Sequence, residues 1–129
     1  MKFDWSEYFN LAKELAETSK EAELRSAVTR AYYYAFGLAG NYLRDIQQDP
    51  KLWRHKTYDI KAHKYVAEKF IYNQSKSQIM IEIGKDLTRL RIMRNKADYE
   101  DTMFNLQRET RNALVLAENI ISALSKLTQ

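Results

Sequence analysis

Apolar residues recur along this chain at spacings of three and four, the period of amphipathic helices, and five such stretches can be marked. The first covers about residues 5–17, with Trp5, Tyr8, Ala12 and Leu15 on one face and Asp4 and Glu7 placed as a capping box. The second and longest covers about 20–47, with Thr18 and Glu21 offering another capping box. Its stripe is Leu24, Ala27, Val28, Ala31, Ala35, Leu38, Ala39, Tyr42 and Ile46. The small residues Ala27, Ala31 and Ala35 allow a neighbouring helix to come close. Gly37 and Gly40 each cost roughly 1 kcal/mol of helix propensity relative to alanine, which points to close packing or a kink there. A connection containing Pro50 covers about 48–57. A third helix is expected over 58–72, a fourth over 77–97 and a fifth over 105–126, the last with Ala113, Ala117, Ile120, Leu124 and Leu127 in line.

Long helices joined by short links run antiparallel to their neighbours, so the expected fold is all-α: an up-and-down antiparallel bundle of four to five helices. The 129 residues, 45% of them apolar, fit a single domain over 1–129 with one core. Only three glycines and one proline occur, too few for a fold made of tight turns. The absence of cysteine removes disulfides, thiolate metal sites and cysteine nucleophiles, and agrees with a reducing cytoplasm. Acids in the first seven residues speak against a signal peptide, and no run of about 18 apolar residues offers a membrane span. No partnership with a membrane is therefore expected.

The formal charge of +4 is local. Lys85, Arg89, Arg91, Arg94 and Lys96 face a single acid, Asp86, within one helix, and the rest of the chain is balanced. Such a patch draws anions such as phosphate, although many charge runs are simply solvated faces. Within this helix Ile83, Leu87, Leu90, Arg94 and Ala97 share a face. Leu87 and Arg94 are seven residues apart and lie about 20° from each other around the axis. Arg94 therefore points inward, where a charge needs a partner or a wet cleft. Asp98, four residues on, is within reach. Two compatible readings follow: an Arg94–Asp98 bridge that closes the helix end, or a cleft arginine that holds a phosphate while Asp98 orients it. Arg91, at the edge of the apolar face, is a secondary candidate. Arg89 points to solvent, in reach of Asp86.

His63 shares a face with Ile60, Ala67 and Phe70. It reads either as a helix-contact residue holding one hydrogen bond or as an interface or active-site group. His55, in the connection, reads as exposed. The spacing of the two histidines fits no helical metal-ligand pattern, so no metal is expected. No phosphate-binding glycine loop, dinucleotide fingerprint or hydrolase elbow occurs, and no cofactor is implied. Tyr32, Tyr33 and Tyr34 fan over about 200° of one helix and cannot all enter one core. Either at least one meets another surface, such as a second subunit or a nucleotide, or all three pack as on an ordinary amphipathic helix with their hydroxyls at the surface. Tyr34 is one turn from Arg30, close enough for a ring–guanidinium contact.

Two segments resemble a known family. Ala27-Val28-Thr29-Arg30-Ala31-Tyr32-Tyr33-Tyr34-Ala35-Phe36 looks like the second-helix signature of HEPN domains. Leu90-Arg91-Ile92-Met93-Arg94-Asn95-Lys96-Ala97-Asp98-Tyr99 looks like the later arginine motif, in the prokaryotic subgroup where it reads R-x-x-A-D-Y. His63 ahead of Val66 and Phe70 also resembles that subgroup. The resemblance implies a helical bundle acting as a homodimer, with a nucleotidyltransferase-type partner protein, in toxin–antitoxin or defence systems. Many such domains are metal-independent ribonucleases. In their motif an arginine, a polar residue and a later histidine line the dimer cleft. Arg94 matches the arginine, Asn95 the polar residue, and Tyr99 stands where the histidine would be. Tyrosine, with a reference pKa near 10, is a poor base at neutral pH. Three functions follow as expectations. One is a module that binds RNA, a nucleotide or a partner protein through a cleft lined by Arg94, Asn95 and Tyr99. The second is a ribonuclease toxin with Tyr99 in the histidine position. The third is a purely structural dimerisation domain.

Overall fold

The computed structural model describes residues 3–52 and 61–128. Among them the chain forms five α-helices and no strand: α1 (Ser6–Ala16), α2 (Glu21–Asn41), α3 (Ala62–Ile71), α4 (Gln78–Tyr99) and α5 (Leu106–Leu127). A π-helical turn, Tyr42–Ile46, continues α2, and a 3-10 turn, Pro50–Leu52, follows it. The all-α bundle expected from the spacing is the observed fold. His55, and the part of the third helix expected over 58–60, lie outside the described residues.

The central element is α2. Leu24, Ala27, Val28, Ala31, Tyr32, Ala35 and Ala39 are all buried, because α1, α4 and α5 pack around this one helix. The alanines let the neighbours approach, as their size predicts. On α4, Met80, Ile83, Leu87, Leu90, Arg94 and Ala97 face inward. On α5 the buried residues are Thr110, Ala113, Ala117, Ile120 and Leu124. The Thr110 hydroxyl gives its proton to Leu106 O, 2.8 Å away on its own helix, which satisfies this buried polar group.

The helix ends depart from the expected capping boxes. Asp4 Oδ1 accepts from the Ser6 amide at 3.0 Å and the Ser6 hydroxyl at 2.6 Å, and Glu7 closes no box. These hydrogen bonds hold the Asp4 carboxyl below its ordinary pKa. Thr18 turns back to donate to Leu15 O, and α2 starts after Lys20 with no side-chain cap. Glu21 is therefore the first helical residue, two positions short of the third-residue place that a box needs, and closes none with Thr18. Ser77 does cap α4, accepting from the Met80 amide at 3.3 Å. Asp98 and Tyr99 belong to α4, which runs two residues past its expected end.

The two glycines of α2 differ. A Cβ on Gly37 would lie 2.7 Å from Cδ2 of Trp5, so Gly37 is the site of a close helix–indole contact. Apart from its own stretch of helix, Gly40 has no atom of the described residues within 4 Å of that position, so close packing among them does not explain it. Gly84 is a third close approach: its Cβ would lie 2.7 Å from Ala67 O and 2.5 Å from Cγ1 of Ile71, which seats α3 tightly on α4.

Candidate functional site

The facing sides of α2 and α4 form a polar cluster inside the bundle. Arg94 is only 8% exposed. Its Nη1 lies 3.5 Å from Asp98 Oδ2, and Nη2 donates to the Tyr33 hydroxyl at 3.2 Å. The guanidinium carbon stands 5.4 Å from the Tyr32 ring centroid and 5.3 Å from that of Tyr33, within cation–π range. Nε has no hydrogen-bond partner among the described residues. The other oxygen of Asp98 accepts from the Thr29 hydroxyl. Thr29, Asp98, Arg94 and Tyr33 thus form one chain of contacts across the two helices.

Tyr32 links this cluster to α3. Its hydroxyl lies 2.5 Å from His63 Nδ1, and the His63 ring stacks on Phe36 with centroids 4.4 Å apart. Burial, with Arg94 and Arg91 nearby, lowers the His63 pKa to about 4, so the imidazole is neutral at neutral pH. Burial raises the Tyr32 hydroxyl well above the ordinary tyrosine value. His63 holds the hydrogen bond that its place on an apolar stripe requires, and it also joins the arginine cluster through Tyr32 and Tyr33.

The remaining candidates are spread out. Arg91 is half-buried and makes no ion pair among the described residues, but its charge reaches Tyr32 and His63. Asn95 is exposed, and Tyr99 is 76% exposed, so neither joins Arg94 inside the protomer. Arg89 pairs with Asp86 at 2.8 Å on the outer face. Arg30 does not meet Tyr34. It stands 5.1 Å from the Tyr8 ring on α1, while Tyr34 stacks on Phe9. The packing of α1 on this face of α2 decides both contacts. The same crowding around α2 packs all three adjacent tyrosines against the core, Tyr32 fully and Tyr33 and Tyr34 in part.

Arg25 was not expected at all. Its Nη1 donates to Ala97 O at 3.1 Å and to Glu100 O at 2.5 Å, and Nη2 to Asp101 O at 3.3 Å. It meets the carbonyls that every helix leaves unpaired at its C-terminus, at the negative end of the α4 dipole. This contact holds the turn that carries Asp98 and Tyr99.

Among the described residues, no three His, Cys, Asp or Glu side chains gather closely enough to hold a metal ion, and no helix is long and apolar enough to cross a membrane. No family model matches the chain, and no curated protein or solved structure matches it.

Proposed function

We propose that this chain is a HEPN-like helical module that binds the phosphate of RNA or of a nucleotide at Arg94, acting as a cytoplasmic homodimer beside a nucleotidyltransferase-type partner in a toxin–antitoxin or defence system. The observation that carries the reading is the state of Arg94: a buried guanidinium whose Nε has no hydrogen-bond partner among the described residues and whose one ion-pair contact, to Asp98, is long, with only the Tyr33 hydroxyl and two aromatic faces besides. A buried cation calls for fuller pairing than this, and a phosphate oxygen supplies it with charge-assisted hydrogen bonds. Arg91, without an ion pair of its own, adds positive potential on the same side. The segments that resemble HEPN motifs carry these residues.

A second reading, a metal-independent ribonuclease, is favoured by one contact: Tyr32 brings His63 into the Arg94 cluster. With a pKa of about 4, His63 is a weak base as it stands. A bound phosphate would offset the two arginine charges that lower it.

The test is incubation of the purified protein with RNA in EDTA. Binding without degradation, steep in salt and lost in Arg94→Ala, supports the proposal. Degradation lost in both Arg94→Ala and His63→Gln supports the second reading. A dimer whose melting temperature neither RNA nor nucleotide shifts leaves only a structural dimerisation domain.

A further inference from the structure

Near the polar cluster, bounded by the N-terminal aromatic residues, α2 and α3, lies a cavity of about 440 Å³. Small-molecule sites typically measure about 300–1,000 Å³. Rings dominate its wall: Trp5, Tyr33, Phe36 and His63 all line it. These rings are held in place by one another. Phe36 stacks on His63, and Trp5 makes edge contacts with Phe3 and Tyr8 and lies against Gly37.

Gly40 also lines the cavity. It is buried within α2, yet, apart from its own stretch of helix, no described atom lies within 4 Å of the place its Cβ would take. A glycine inside a helix costs about 1 kcal/mol relative to alanine, and among the described residues no packed neighbour accounts for that cost.

Two polar side chains define the chemistry. Asn41 lines the same cavity, and its side-chain amide makes no hydrogen bond among the described residues. Arg44 is neutralised by Asp45, at 2.9 Å and 3.1 Å. A hydrocarbon ligand would desolvate Asn41 and return nothing. An anion would find no uncompensated charge at Arg44. A flat ring with donors and acceptors on its edge suits both the aromatic wall and the free amide, because every base offers a π-face for stacking.

We infer that this cavity binds a planar nitrogen heterocycle of the nucleobase class, stacked among the aromatic rings with its edge hydrogen-bonded by Asn41. The site stands on residues other than Arg94. It meets the arginine cluster through Tyr33, whose ring lines the cavity and whose hydroxyl accepts from Arg94, and through His63, which lines the cavity and is bonded to Tyr32.

The experiment is NMR titration of the full chain with adenosine, guanosine, cytidine and uridine, and with toluene as a purely apolar probe. At least one nucleoside is expected to shift the Trp5 and His63 resonances. Gly40→Leu, which fills the cavity, and Asn41→Ala, which removes the amide, should each weaken that nucleoside about tenfold. Thermal melting checks that both variants fold, and Asn41→Ala carries the test if Gly40→Leu does not. Inorganic phosphate, which probes the Arg94 site without a base, should leave nucleoside binding in place, so a failure here and a failure of the phosphate reading are separable. If no nucleoside shifts these resonances, with or without toluene binding, or if the folded variants bind nucleoside as the parent does, the inference is overturned.

Discussion

The Tyr32 hydroxyl lies 2.5 Å from His63 Nδ1, and the charges of Arg94 and Arg91 act on both rings. The pair ties α2 to α3 beside the candidate phosphate site. Burial first, and the Arg94 and Arg91 charges after it, lower the pKa of His63, which should titrate near pH 4 rather than at its ordinary 6.5, as NMR of its ring protons would show. Between these values the unfolded chain binds the proton and the folded chain does not. The His63 contribution to stability is then present in full above about pH 6.5 and lost as the pH falls towards 4. Adding inorganic phosphate should raise the His63 pKa if the anion sits against Arg94. In Arg94→Met the pKa should already be higher and should not respond to phosphate.

Arg94 and Asp98 are unequal partners. Arg94 is buried, whereas the Asp98 side chain is 28% exposed and also holds Thr29. Removing the carboxylate strands a buried cation, so Asp98→Ala should cost about 3 kcal/mol. Arg94→Met leaves a carboxylate that water and Thr29 can satisfy, and should cost about 1 kcal/mol or less. Urea denaturation of the two variants would show the asymmetry, and equal losses would contradict the assignment of the buried charge.

Arg25 closes the C-terminus of α4 by binding three carbonyls. Arg25→Ala should destabilise the protein by about 2–3 kcal/mol, since hydrogen bonds from a charged donor to backbone exceed neutral ones. Arg25→Lys should recover only part of this, because an ammonium cannot reproduce the planar fork. Hydrogen exchange at residues 97–101 should rise in both variants.

The three glycines should separate cleanly. Gly37→Ala drives a methyl into the Trp5 ring, and Gly84→Ala drives one into the Ala67 carbonyl and the Ile71 side chain. Each should cost about 1–3 kcal/mol. Gly40→Ala meets open space among the described residues and should stabilise the chain by about 0.4–1 kcal/mol. Thermal melting of the three variants reads the order directly.

The bundle was legible because helical spacing reports which face of a helix is buried without saying what buries it. The seven-residue step from Leu87 to Arg94 turned that arginine inward, and Asp98 was within one turn, so half of the cluster could be read from one helix. The other half could not. Thr29, Tyr33 and Arg25 meet α4 only through the register of two helices, 61 to 76 residues away in the chain, and periodicity carries no register. His63 could be seen to need a hydrogen bond, but Tyr32 as its partner is a tertiary fact. The Arg30–Tyr34 contact failed for the same reason: α1 supplied nearer rings to both. The capping boxes failed on a shift of one or two residues, the scale at which helix ends are hardest to place. Gly40 gave a signal in sequence, an unfavourable residue inside a long helix, but only the cavity beside it gives that signal a meaning.

The most direct measurement is the affinity of a single-stranded RNA for the chain across a salt series in EDTA, with Arg94→Met compared with Arg89→Met. If Arg94 holds a phosphate, Arg94→Met should weaken binding at every salt concentration and flatten the log–log slope by about 0.7, while Arg89→Met, whose guanidinium is already paired with Asp86, should change both far less. Affinity and slope unchanged in Arg94→Met, or lost equally in the two variants, would contradict the account.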